Sequence, residues 1–221
     1  MLNNNQTANT MKKLLFAFCA LTLVMGCGGK SEKKGDNASG EIQVVTPEVI
    51  QEVNEIKETK GPYKVGDLYF EDGVIGAVFE ATHGGLHGKI VSVDCEELQW
   101  CDDSLSEVQT YTDNLYDGAL NTWELMNRYD ADKYYAASWC VNYGDGWYLP
   151  AKNELENIYA YKDKINSTLE DYGFETINGS GIHWSSTERY NSYAWYVPMC
   201  NGSPFYNPKY INHYVRAVSA F

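Results

Sequence analysis

Residues 144–159 read GDGWYLPAKNELENIY. Pro150 stands where a helix opens, because the first turn has no use for the N–H that proline lacks. Leu155, Ile158 and Tyr159 then recur on one face. Gly144 and Gly146 end an earlier apolar cluster at helical spacing, ADKYYAASWCVNY (131–143). Before it, LNTWELMNRY (120–129) places Leu120, Trp123 and Met126 on one stripe. After it, Ile165, Leu169 and Tyr172 mark a short helix that Gly173 stops. On both sides of this helical middle the period changes to β. YKVGDLYF (63–70), GVIGAVFEA (73–81) and KIVSVD (89–94) precede it, with turns at Glu71-Asp72-Gly73 and HGGLHG (83–88). IHWSST (182–187), AWYVPM (194–199) and YVRAVSAF (214–221) follow it, joined by loops rich in Asn, Gly, Pro and Ser. Strands, helices, then strands predict an α+β domain whose last strand returns to meet the first.

That domain spans 63–221 and holds every Trp and Tyr of the 221-residue chain. Residues 28–62 are polar, mixed in charge and free of aromatics, and read as a flexible tether. Within them Val49, Val53 and Ile56 recur at helical spacing after Pro47. Residues 1–27 have the form of a secretory signal: Lys12-Lys13, an apolar run from Leu14 to Met25, then Gly26-Cys27. A small residue before cysteine resembles the lipobox of bacterial lipoproteins, which implies lipidation at Cys27 and a lipid-anchored place in the cell envelope, periplasmic or surface-exposed.

The signal carries two of the 17 basic residues and none of the 30 acidic ones, so its removal leaves 15 against 30, formally −15. Such a field repels phosphate backbones, and nucleic acid is not an expected partner. Four cysteines remain: Cys95, Cys101, Cys140 and Cys200. An even count in an exported chain predicts disulfides, with three possible connectivities and free buried thiols as the alternative. One connectivity closes Cys95 with Cys101 and leaves Cys140 with Cys200.

GDGWYLPAKNELENIY, HWSSTE (183–188), AWYV (194–197) and YVRAVSAF, in this order, resemble the Lcl C-terminal family, a C-type-lectin-like group of bacterial lipoproteins and adhesins. GVIGAVFEATHGGLHGKIVSVD (73–94) and YDGALNTWELM (116–126) resemble its opening strands and first helix. The resemblance implies a C-type-lectin-like fold with paired N- and C-terminal strands, two or more helices and a loop-rich second sheet. VRAVSAF would be the closing strand, and Trp147, Trp184 and Trp195 would serve the core.

Between those fixed points, residues 190–214 change character: six of 25 are Tyr and four are Asn. Tyrosine offers a large amphipathic face at low entropic cost, and Asn, Ser and Gly adapt their hydrogen bonding, as in binding surfaces. The candidate ligand-binding residues are Tyr190, Asn191, Tyr193, Tyr196, Asn201, Tyr206, Asn207, Tyr210, Asn212, His213 and Tyr214. All of them lie within one mutated adenine-rich codon of asparagine, so the stretch also resembles the variable segment of lipoproteins diversified by retroelements.

No convergent catalytic set is visible, and no cofactor or metal is expected. His83, His87, His183 and His213 lie apart or in turns, and no Gly-x-Ser-x-Gly, H-E-x-x-H or Walker loop occurs. TDNLYDG (112–118) has Leu115 where a calcium loop needs oxygen, so Asp117 and Asn121 read as helix caps. Lys209, Arg216, Arg189 and His213 could make a local positive spot for the sulfated polysaccharides linked to some family members, against the negative surround. The expectation is a non-enzymatic, surface-anchored module that recognises a protein or glycan. The alternatives are a structural envelope lipoprotein without a ligand and an enzyme related to formylglycine generation, whose paired active cysteines Cys140 and Cys200 do not match.

Overall fold

The computed structural model describes residues 61–221. Cys27, the stripe of Val49, Val53 and Ile56, and all but the last two residues of the 28–62 tether lie outside the described residues.

The front half builds a four-stranded sheet. Strands β1 (Leu68–Glu71) and β2 (Val74–Thr82) form a hairpin in which Glu71 faces Val74 across Asp72 and Gly73. Both turn residues have positive φ, +48° and +85°, the geometry that lets a two-residue loop follow the strand twist. β2 then pairs with β3 (His87–Val91), and its Ile75, Ala77, Val78 and Phe79 are buried. A strand with no exposed stretch through its centre reads as a continuous apolar run, as VIGAVF does.

After β4 (Glu96–Gln99) come four helices, α1 (Gly118–Met126), α2 (Tyr135–Tyr143), α3 (Lys152–Ala160) and α4 (Lys162–Asp171). β5 (Ile182–Tyr190), β6 (Tyr193–Pro198), β7 (Phe205–Pro208), β8 (Asn212–Val215) and β9 (Val218–Ala220) complete the domain. The second sheet has the order β4-β8-β5-β6-β7, with one parallel contact between β5 and β8. The architecture is α+β with two mostly antiparallel sheets.

The stretch YVRAVSAF divides, where one closing strand was expected. β8 belongs to the five-stranded sheet, while β9 joins the first sheet beside β3 (Lys89 opposite Ala220). Arg216 sits at the crossing, fully buried, and donates to the carbonyls of Ser92 (2.7 Å), Glu175 (2.7 Å) and Thr176 (3.2 Å). The final Phe221 ring lies 5.3 Å from Tyr63 and 4.8 Å from Tyr69, so the end of the chain is locked to its front.

The core between sheets and helices contains Val78, Ile90, Trp100, Leu125, Tyr134, Trp147, Leu149, Trp184 and Val215. Full burial stabilises each of these large apolar side chains by about 1.5–3 kcal/mol. Glu154, on α3, ties the helices to the first sheet: it accepts from Ala151 N (2.8 Å), Gly118 N (3.1 Å), Tyr148 Oη (2.8 Å) and Lys89 Nζ (2.7 Å).

Three sequence-based expectations are corrected here. The four cysteines are free, with Cys101 and Cys140 buried and Cys200 exposed. β4 lies between Cys95 and Cys101, and its four extended residues alone span roughly 10 Å, beyond the ~7 Å that bridged Cα atoms allow. Burial pushes the thiols up, Cys95 to about 11 and Cys101 to about 12, leaving both poor nucleophiles. On α1 the buried face is Gly118, Asn121, Thr122 and Leu125, so the stripe of Leu120 and Trp123 faces outward. Asp117 is the N-cap of α1, accepting from Leu120 N at 2.8 Å, whereas Asn121 is buried and bonds the backbone of Asn114 through both its side-chain atoms (3.1 and 2.7 Å).

Candidate recognition surface

β5 ends in Glu188-Arg189-Tyr190, turns through Asn191-Ser192 and re-enters the sheet as β6. In the next pairing Trp195 lies opposite Tyr206 of β7. Cross-strand neighbours on one face stand about 5 Å apart, so large rings there must meet. Edge-to-face contacts result: Trp195–Tyr206 at 5.6 Å, Tyr193–Tyr206 at 5.7 Å, Tyr190–Tyr206 at 6.0 Å and Tyr190–Tyr193 at 6.4 Å. The Phe205 ring stacks on Tyr206 at 4.9 Å. The Arg189 guanidinium lies 4.3 Å from the Tyr190 centroid, 5.5 Å from Trp195 and 5.9 Å from Tyr206. Ring quadrupoles favour both arrangements. Tyr190 is 46% exposed and Phe205 57%, while Tyr193, Trp195 and Tyr206 are half-buried. This is an aromatic platform with a cation in it and faces open to solvent.

A buried ion pair fixes the platform from below. Lys209 Nζ lies 2.6 Å from Glu188 Oε1, with the two side chains 0% and 1% exposed. Lys209 also donates to the carbonyls of Val108 (2.9 Å) and Asn191 (2.5 Å), and its charge sits 4.8 Å from the Trp100 ring centroid. Glu188 accepts from Thr110 N (2.9 Å), Tyr111 N (2.9 Å) and Gln109 Nε2 (2.5 Å). Burial pulls the Lys209 ammonium below its usual range, with Glu188 opposing that shift. The pair thereby joins the strap 108–111 to the β5–β6 turn and the β7–β8 loop. Ser192 Oγ donates to Glu107 (2.6 Å), a further tie between strap and turn.

The sequence-derived candidates separate into groups. Tyr190, Tyr193 and Tyr206 converge on the platform, with Asn191 in its turn. Tyr196, Asn207 and His213 gather beside buried Trp184: the His213 ring is 4.4 Å from Trp184 and 5.1 Å from Tyr196, and its Nε2 is 2.9 Å from Asn207 Nδ2. Burial pulls His213 down to about 4. Tyr214 stacks on His183 at 5.6 Å beside a cavity of about 10 Å³, the size of one water, also lined by Cys95 and Arg216. Asn201 folds onto its own turn, accepting from Ser203 N (3.0 Å). Tyr210 and Asn212 are exposed around Gln99, which donates to the Tyr210 carbonyl (2.9 Å).

Trp195 and Phe205 also belong to the platform and lie outside the sequence-derived candidates, as does Arg189 save for its place in the positive spot. Trp195, a core residue by the family resemblance, is half-buried under Arg189, with Lys152 Nζ 5.9 Å from its ring. AWYV is apolar throughout and carries no alternation that could separate Trp195 from the core; its pairing opposite Tyr206 does. The positive spot is dismantled, because Lys209, Arg216 and His213 are buried and only Arg189 faces out. Among the described residues no group of three or more His, Cys, Asp or Glu is placed to hold a metal ion, and no helix is long and apolar enough to cross a membrane.

A crystal structure of a fimbrial protein from Bacteroides ovatus ATCC 8483 shares the fold with a TM-score of 0.55 at 18% identity, over 72% of this chain and 49% of that one. The chain thus spans about half the length of that protein. No curated protein matches it. The Lcl C-terminal domain family matches residues 89–219, from β3 to β9 and through every platform residue. With more than half of its length so matched, the chain belongs to the Lcl C-terminal domain family.

Proposed function

We propose that the chain is a bacterial envelope lipoprotein, anchored through Cys27, whose domain recognises or adheres to an extracellular protein or glycan by the platform of Arg189, Tyr190, Tyr193, Trp195, Phe205 and Tyr206. The observation that carries this reading is the placement of several large rings on one sheet face, half-open to solvent and held by a buried ion pair. Aromatic anchors and arginine contribute most in binding surfaces, and a frame that cannot relax keeps the ordering cost low. Family membership and the fimbrial relative of similar fold favour a surface role.

The test begins with a glycan array and an array of extracellular proteins probed with the full chain. The Tyr190→Ala, Tyr193→Ala, Tyr206→Ala triple variant is expected to lose about tenfold or more in affinity for the ligand found, with a melting temperature within a few degrees of the parent. Undiminished binding by that variant removes the platform from the reading.

Retroelement-type diversification is part of the same proposal, narrowed by packing. Tyr190, Asn191, Tyr193 and Tyr206 can change without touching the interior, whereas Tyr196 and His213 contact Trp184. Resequencing the locus across sister cells is expected to show substitutions concentrated at 190, 191, 193 and 206. Substitution as frequent at 196 and 213, or an invariant stretch, contradicts it.

A further inference from the structure

Helix α1 turns Asn121, Thr122 and Leu125 inward and leaves Leu120 and Trp123 outward. Its inward Thr122 bonds Leu149 through both backbone groups (3.0 and 3.3 Å), and its inward Asn121 holds Asn114 and Ser186 Oγ (3.2 Å). Its outward Leu120 is 41% exposed and Trp123 64%. Three residues apart, they share one helix face. The segment 111–117 that leads into the helix, continuous with the strap 108–111, adds Tyr111 and Tyr116, each at least 70% exposed. Soluble domains ordinarily turn such side chains inward, and a cluster of them facing out marks a contact surface.

This segment is fixed in place. Asn114 Oδ1 accepts from the amides of Tyr116 (2.9 Å) and Asp117 (3.0 Å), the Leu115 carbonyl accepts from Asn153 N (2.9 Å), and the Asn114 carbonyl accepts from Thr187 Oγ1 (2.9 Å). Binding to so pre-organised a surface costs little ordering entropy.

Charge selects the occupant. Residues 111–127, which hold Tyr111, Tyr116, Leu120 and Trp123, carry three acidic residues, Asp113, Asp117 and Glu124, and no Lys or Arg. A second copy would bring the same sign. The chain's own segment 47–60 is a poor match too, with four Glu against two Lys. A Lys or Arg side chain would find both the acidic rim and the open faces of Trp123 and Tyr116.

We propose that Tyr111, Tyr116, Leu120 and Trp123 form a docking surface for a basic protein segment, one with apolar side chains flanked by Lys or Arg. The surface lies outside the tyrosine platform, and the proposal does not rest on that platform's role.

Two designed amphipathic peptides of equal length test it, one of Leu and Lys and one of Leu and Glu, added to the full chain carrying ¹⁵N-labelled tryptophan. The Leu/Lys peptide is expected to shift the Trp123 indole resonance, identified by its absence in Trp123→Phe. It should bind at least about tenfold more tightly than the Leu/Glu peptide and weaken as salt rises. The Leu120→Ala, Trp123→Ala double variant is expected to lose about tenfold in affinity with unchanged thermal unfolding, since both side chains are exposed. Asp113→Asn with Glu124→Gln should weaken binding and flatten its salt dependence. The proposal is overturned by equal affinity for the two peptides or no binding of either. Full binding by the double variant, loss of binding in the platform triple variant instead, or self-association that Trp123→Ala abolishes would also overturn it.

Discussion

Glu188→Ala is expected to destabilise the domain by about 3–5 kcal/mol, the usual cost of stranding one partner of a buried ion pair. The Lys209 ammonium, 0% exposed, would keep only the carbonyls of Val108 and Asn191 as acceptors. The amides of Thr110 and Tyr111 would lose their acceptor at the same time. Lys209→Met should cost less, about 1–3 kcal/mol, because the remaining carboxylate still receives those two amides and Gln109 while the methionine fills the aliphatic path. The double variant should therefore fall short of the sum of the single losses, and urea unfolding of all four proteins measures the difference. Additive losses, or a Glu188→Ala cost below about 1 kcal/mol, would mean that the strap 108–111 and the β5–β6 turn are held by something other than this pair. The same variant bears on recognition, because Glu188 precedes Arg189 and Tyr190 on β5 and its carboxylate is what ties that end of the strand to Gln109, Thr110 and Tyr111.

Local chemistry made much of the fold legible. Asp72-Gly73 between an aromatic and a β-branched run could be little other than a tight hairpin turn, and Pro150 ahead of Leu155 and Ile158 marked a helix with an inward face. What stayed hidden depends on which partner an element meets. A helical stripe says that a face is apolar but not that it faces the core. On α1 the inward side is shared by Leu125 with Asn121 and Thr122, whose bonds to distant Leu149 and Ser186 no local pattern records. YVRAVSAF is apolar throughout, and only the buried Arg216, which needs three distant carbonyls, hinted that the run crosses between sheets. The site followed the same rule. Composition located the Tyr- and Asn-rich segment, but strand register sorts its residues, sending Tyr206 outward to Trp195 and His213 inward to Trp184. Register is set by pairing across β5, β6 and β7, which a linear sequence does not display.

Acid is expected to weaken the domain from about pH 6.5 downward, because two histidines are buried in the neutral form. Burial beside Trp184 holds His213 at about 4, against an ordinary value near 6.5. Burial, then the Arg216 charge and His213, hold His183 at about 3. The unfolded chain takes up protons below about pH 6.5 while the folded domain resists until about pH 4, so stability is fully present above that window and drains away as pH falls through it. At about 1.4 kcal/mol per unit, His213 alone accounts for roughly 3 kcal/mol, and His183 adds a loss of the same sign. Urea unfolding at pH 7, 5.5 and 4.5 measures the sum, and His213→Gln isolates one part, because the amide can still meet Asn207 but does not titrate. Parallel pH profiles for parent and variant would show that His213 is not held neutral by the fold. The consequence for recognition runs through Asn207: as placed, its Nδ2 donates to the neutral His213 ring, bonding β7 to β8 across the sheet from beneath Tyr206. A protonated ring has no lone pair for that bond, so β7 loses this tie to β8 and is held in the sheet by its ladder to β6 alone. Binding by the platform should therefore weaken between pH 6.5 and 4 in step with unfolding free energy, and more steeply in the parent than in His213→Gln.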